Sequence, residues 1–334
     1  MNMSPWRAIA LCAPLVTLVW TLGPSVAAAA DPPYPSRTVK ILTPTGPGGP
    51  SDTMIRGVAE LLGREMGQPF VVENRPGGEG IIAGEACSTA PPDGYTLCLA
   101  EAFNTILLPL TKSGLSYDPA RWSAVALFGF LPTGMWLAQS VAAEDAKSFL
   151  ALARKRPGEL TIGSWGRASS PYLHAEFLRK SSGTDLTVVG YRSAVAAWQA
   201  TVAGETSAAL FGLQGGLPMA EAGKVRLLAI NTESRLPDFP NVPTFSEVGL
   251  QSGTMLWFAL FAPPGTPAAI VSKVNEAIAK LVFNDAATKE RLLTSKGFLA
   301  VPPAGTNPAT VTSFIRSQRQ TYEKWVSIAG VTPE

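Results

Sequence analysis

The segment VKILTPTGPGGPSD, residues 39–52, constrains the fold of this chain more than any other. Val39 and Ile41 begin a short strand that must stop at Pro44. The loop beyond is so rich in Gly and Pro that backbone, not side chain, faces whatever lies there. Ser51 or Asp52 then caps a helix, because Ile55, Val58, Ala59, Leu62 and Met66 recur at helical spacing. A strand, a glycine loop and a helix N-terminus bring unpaired N–H groups and the positive end of the helix dipole to one point, which suits an anion. The expected occupant is a carboxylate.

The first thirty residues (1–30) read as a cleaved signal peptide. Arg7 is their only charge, an apolar run fills 8–22, and Ala28-Ala29-Ala30 offers a small-residue cleavage site before Asp31. The competing reading is a retained anchor, but Pro14 and Gly23 leave the run short for a span. Bulky Leu11 before Cys12 speaks against lipid attachment. A periplasmic setting follows. The chain carries 27 Lys and Arg against 25 Asp and Glu, and cleavage removes only Arg7. Such near-neutrality speaks against nucleic acid or an acidic membrane surface as the main partner. Roughly three hundred mature residues exceed one comfortable core and suit two α/β lobes.

Cys87 and Cys98 flank the turn APPDGY, either as a disulfide, which an oxidising compartment favours, or as two buried thiols. The one histidine, His174, lies too far along the chain to complete a metal site, and no metal or cofactor is expected.

Strands at 70–72 and 95–100 alternate with helices in the order β-α-β-α-β, which crossover rules turn into a parallel, doubly wound sheet. The apolar runs SAVALFGF and GMWLA, within 123–138, read as a first passage between lobes, and 255–262 as the return. Between them lie a helix over 146–154, a strand at 160–163 and the loop SWGRASSP. Next come a helix capped by Ser170 with Pro171 at its first position, strands at 186–189, 207–211 and 225–230, and helices over 193–202 and 219–222. Three helices close the chain, over 268–282, 286–294 and 308–327. The loop at 164–170 repeats the physical design of the opening one.

The blocks YPSRTVKILTPTGPGGPSD, VVENRPGGEG, PDGYTLC, SSPYLHAEFL, AGKVRLLAI and VPTFSEVG run in order along the mature chain. With them the chain resembles the Bug-type, TctC-like substrate-binding proteins of the tripartite tricarboxylate transporters. The resemblance implies a type II periplasmic binding protein with a Venus-flytrap design. Two doubly wound α/β lobes, 31–129 plus 253–334 and 130–252, are joined by two crossing strands. It further implies a monomeric receptor that closes on a small carboxylate and delivers it to the membrane permease subunits. By position, the ligand loops are Thr45, Gly46, Pro47, Gly48 and Gly49 in one lobe, and Ser164, Trp165, Gly166, Arg167, Ala168, Ser169 and Ser170 in the other. Tyr191 and Ser193 open a further helix facing the same region, with Ser193 either a plain N-cap or a contact.

Two positions depart from the family pattern. Glu101-Ala102-Phe103-Asn104 stands where small or hydroxylic residues follow the third strand, and Gly212-Leu213 stands where Asp and Asn are common. Glu101 either faces the cleft, where it repels a dianion and welcomes an amine or hydroxyl, or sits solvated on the rim. Arg167 either forks onto a second ligand carboxylate or lies on the surface. Trp165 either walls the ligand or packs under its own loop. ENRPGGEG is read as crossover geometry outside the site. Two other classes remain in view. A sensor accessory would read out the same closed shape. An exported hydrolase would use Ser164, but Ile162 stands where a nucleophile elbow needs Gly.

Overall fold

The computed structural model describes residues 33–166, 169–250 and 255–333, so the proposed signal peptide, Arg167 and Ala168 lie outside the described residues. Within 34–334 the chain builds two five-stranded sheets. The first has the order β2-β1-β3-β10-β4, from β1 (Val39–Thr43), β2 (Phe70–Asn74), β3 (Thr96–Glu101), β4 (Ser123–Leu131) and β10 (Leu256–Ala262). The second has the order β7-β6-β8-β5-β9, from β5 (Thr133–Ala138), β6 (Thr161–Ser164), β7 (Thr187–Gly190), β8 (Ala208–Gly212) and β9 (Val225–Ile230).

Both sheets follow one plan. Three parallel strands stand at one side, and the fourth place is taken by an inserted antiparallel strand. That strand is where the chain enters the lobe: β5 after a single residue, Pro132, and β10 on the return. The expected doubly wound lobes and crossing passages are present. The sheets, however, are mixed rather than wholly parallel, because a strand arriving from the other lobe enters without a helical crossover to reverse it.

Helix α1 (Pro50–Met66) buries Ile55, Val58, Ala59 and Leu62 against the first sheet, and the Ile, Val and Leu side chains each contribute about 1.5–3 kcal/mol. It begins earlier than expected: Gly49 is its N-cap and Pro50 its first residue, so Ser51 and Asp52 lie inside the first turn. Helices α8 (Ala268–Ile278) and α9 (Ala286–Leu292) join α1 in that core, and α2 (Ile81–Thr89) and α10 (Pro308–Ala329) cover the other face. The second sheet is sandwiched likewise. Helices α4 (Ala146–Lys155) and α5 (Ser170–Ser182) lie on one face, and α6 (Ala194–Ala203) and α7 (Leu213–Glu221) on the other. Helix α7 starts six residues before the expected position, since Gly212 ends β8 and caps the helix at once. A helical stretch at residues 103–111, ending in α3 (Leu108–Thr111) and not anticipated from the sequence, follows β3 directly.

Helix α10 also ties the lobes together. Trp325 meets His174 of α5 edge-on at 4.7 Å and stacks on Phe177 at 5.7 Å, and Lys180 Nζ donates to the Ile328 carbonyl at 2.6 Å.

Cys87 in α2 and Cys98 in β3 form the disulfide, with Cα atoms 6.0 Å apart. Both are buried, and Asp93 Oδ1 accepts the Tyr95 N–H at 3.0 Å to close the turn between them. Removing the link frees a short loop in the unfolded chain. The double variant Cys87→Ala, Cys98→Ala is therefore expected to lose about 2–3 kcal/mol in urea unfolding. An unchanged midpoint would mean that the bond adds nothing beyond the packing around it.

Candidate functional site

Strands β1, β2 and β3 are parallel, so the loops that follow them gather at one edge of the first sheet. The loop after β1 is braced from beneath. Asp52, 2% exposed, accepts the Gly48 N–H at 2.9 Å, Asn74 Nδ2 at 2.8 Å and Arg56 Nε at 2.9 Å. Burial alone would raise the Asp52 carboxyl, but hydrogen bonds from Arg56, Asn74 and Gly48 outweigh it and hold the group below the usual carboxylate range. Asn74 Nδ2 also donates to the Thr45 carbonyl at 2.9 Å. The hydroxyls of Thr43, Thr45 and Ser51 satisfy one another over 2.9–3.4 Å.

Part of the anion site anticipated from the sequence is thus filled by the protein itself, because the Gly48 amide is committed to Asp52. The N–H groups of Gly46, Gly49 and Ser51 have no acceptor among the described residues. A Cβ at Gly46, Gly48 or Gly49 would meet nothing within 4 Å, so the loop borders open space. Gly48 has φ +90°, a conformation that L side chains rarely adopt.

Two neighbours complete this edge. Glu79 has φ +57°, the one positive φ outside glycine among the described residues. Its carbonyl accepts Asn104 Nδ2 at 2.8 Å. A Cβ at Gly80 would lie 2.1 Å from that nitrogen and 3.3 Å from Pro44 Cβ, so glycine is needed for the three loops to converge. The crossover ENRPGGEG, read from the sequence as outside the site, therefore borders it. Its Asn74 braces the β1 loop, and a polar Asn closing an apolar strand is the signal the sequence offers for that role.

Glu101 is the last residue of β3 and pairs with Phe258 of β10. Its side chain is partly exposed, yet burial pushes the carboxyl up to about 7. No hydrogen bond or ion pair reaches that carboxyl among the described residues. Asn104 is buried, and its Oδ1 has no partner among the described residues.

In the second lobe, β6, β7 and β8 are parallel and present their following loops in the same way. Ser164 is buried, and its carbonyl accepts the Tyr191 N–H at 2.7 Å. Half-buried Trp165 makes no ring contact among the described residues, and Gly166 is exposed with φ +124°. The cap of α5 is Ser169, not Ser170. Its Oγ accepts the Tyr172 N–H at 3.4 Å and donates to the Gly166 carbonyl at 2.7 Å. Ser170 Oγ lies 3.2 Å from His174 Nδ1. Ser193 Oγ caps α6, taking the Ala196 N–H at 3.2 Å. Tyr191 is half-buried with its hydroxyl pKa raised by burial, and Gly212 stands beside open space at the end of β8. The loops of the two lobes approach each other, since a Cβ at Gly166 would lie 4.0 Å from Glu79 Oε1.

His174 Nδ1 donates to the Ser170 carbonyl at 2.8 Å, and its buried Nε2 has no partner among the described residues. The ring is enclosed by Phe245 and Trp325, and no hydrogen bond links it to Ser164. Among the described residues no metal-ligand cluster exists, and no helix is long and apolar enough to cross a membrane.

Comparison with known proteins gives concordant results. The family model described as "Tripartite tricarboxylate transporter family receptor" matches residues 54–327. A UPF0065 protein of Bordetella bronchiseptica is 31% identical over 92% of this chain and 90% of its own length. Among solved structures, Rpa4515 of R. palustris with adipate is 28% identical, with TM-score 0.79 over 90% of this chain and all of that one. MatC of Rhodopseudomonas palustris with bound malate is 28% identical, with TM-score 0.74 over 88% of this chain and all of the other.

Proposed function

The chain belongs to the tripartite tricarboxylate transporter receptor family, and on that premise we propose that it is an exported receptor that captures a small organic carboxylate between two lobes and hands it to membrane permease subunits. Receptors of this family bind solutes and are not enzymes, which removes the hydrolase reading of Ser164. The proposed lobes are 31–129 with 253–334, and 130–252. The proposed anchor is main-chain: the loop Thr45–Gly49 on one side and the loop through Ser164, Trp165, Gly166, Ser169 and Ser170 on the other.

One observation carries the proposal. Amides of Gly46, Gly49 and Ser51 without an acceptor among the described residues gather at the N-terminus of a 17-residue helix, on a loop that borders open space at Gly46 and Gly49 and is held in place by Asp52, Asn74 and Arg56. Backbone donors bind a carboxylate by direction without a buried fixed charge, which suits a receptor that must also release. Contacts added on closure favour the closed state, and that state is what a permease can recognise. Glu101, Asn104, Tyr191, Ser193 and Gly212 fall to the walls beyond the anchor. Adipate and malate in the related structures support a carboxylate as ligand here.

A thermal-shift screen of small organic acids tests the proposal. A ligand at a hundred times its dissociation constant stabilises the native state by about 2.7 kcal/mol. At least one carboxylate is expected to produce such a shift and neutral sugars none. A screen in which sugars stabilise the protein and acids do not would reject it.

A further inference from the structure

The two sides of the proposed site have opposite deficits. The loop after β1 is short of acceptors, because the Gly46, Gly49 and Ser51 amides have none among the described residues. The end of β3 is short of donors. Among the described residues the Glu101 carboxyl has no partner. Neither Asp52 nor Asn104 makes up the shortfall. Asp52 is itself an acceptor already served by Gly48, Asn74 and Arg56, and Asn104 Nδ2 is committed to the Glu79 carbonyl.

Alternation along β3 puts Glu101 on the face of Leu97 and Leu99, the face that packs α1, and therefore on the same side of the sheet as the α1 N-terminus. We propose that Glu101 makes this receptor select a monocarboxylate whose far end carries a hydrogen-bond donor, an ammonium above all, and reject a dicarboxylate. The inference rests on the carboxylate-receptor reading and sharpens it. An anchored acid with an ammonium at its other end supplies the acceptor one side lacks and the donor the other lacks. A second carboxylate instead meets an unneutralised one in a partly desolvated site. Juxtaposed like charges disfavour binding in such a setting, so a discrimination of about tenfold or more is expected.

The test is calorimetric titration of the full mature protein at pH 8, where a carboxyl with a pKa of about 7 is ionised. The probes are straight-chain acids of three to six carbons whose far end is methyl, hydroxyl, ammonium or carboxylate, compared at equal chain length. The ammonium member is expected to bind about tenfold or more tighter than the dicarboxylate. Glu101→Gln is expected to bring the two within about threefold, mainly by strengthening the dicarboxylate, with an unliganded melting temperature no lower than wild type. A dicarboxylate that binds wild type as tightly as its ammonium counterpart overturns the inference alone. So does an unchanged ratio in Glu101→Gln. If no acid of any length binds, the receptor reading fails and this inference with it.

Discussion

Glu101→Gln is expected to make the unliganded protein more stable than wild type at pH 8, by up to about 3 kcal/mol, and no more stable at pH 4. The sign follows from proton counting. Burial raises this carboxyl from 4.5 to about 7, so between those values the folded state holds a proton that the unfolded chain has released. Stability therefore falls as pH rises through that window, and above it the folded protein bears the full cost of an ionised, partnerless carboxylate. A glutamine bears none. His174 acts in the opposite direction. Burial lowers its pKa from 6.5 to about 4 against the smaller upward effect of its bond to Ser170. The unfolded chain then holds the extra proton, and stability falls by up to about 3 kcal/mol as pH drops from 6.5 to 4. The two slopes oppose each other between 4.5 and 6.5, so wild type alone resolves neither. Urea unfolding of wild type, Glu101→Gln and His174→Phe across pH 4–8 separates them. A Glu101→Gln gain that is the same at every pH would show that the carboxyl does not titrate as its surroundings require.

Gly48→Val is expected to abolish the stabilisation given by any acid found in the screen, a loss of affinity of about a hundredfold or more, because a displaced loop no longer aims its amides. The folded protein itself should lose only about 1–2 kcal/mol, the cost of holding an L side chain in a left-handed conformation. Nothing lies within 4 Å of the new Cβ, so the damage is to backbone geometry and to the Gly48 bond with Asp52, not to packing. Gly49→Ala is the control. Gly49 has an ordinary φ of −73° and equal space around it, so its variant should cost under about 1 kcal/mol and keep its amide in place. Thermal shift and urea midpoints of both variants check this. A Gly48→Val protein that still responds to acid as wild type does would remove the β1 loop from the site.

Strand and helix positions are largely legible because each element carries its own periodicity, as in Ile55, Val58, Ala59 and Leu62 of α1. Helix starts are less so. Several residues able to cap stand side by side at 49–52 and at 169–170, and only the packed structure picks Gly49 and Ser169. The candidate loops are visible as glycine-rich segments after strands. Their bracing is not, since Asp52 and Asn74 are 22 residues apart and meet only when β1 and β2 pair. Glu79 reads as a crossover residue until folding brings the facing loop within reach of it.

By itself the sequence determined the family, the two-lobe plan and the loops able to offer amides, because those properties are written in local pattern and in order along the chain. Tertiary structure alone decided which amides remain free, which carboxylate is neutralised and which is not. Asp52 and Glu101 are the same functional group, and nothing local separates them. One is enclosed by three donors from Gly48, Arg56 and Asn74, and the other is desolvated without any among the described residues. A charge takes its character from the groups folding brings around it.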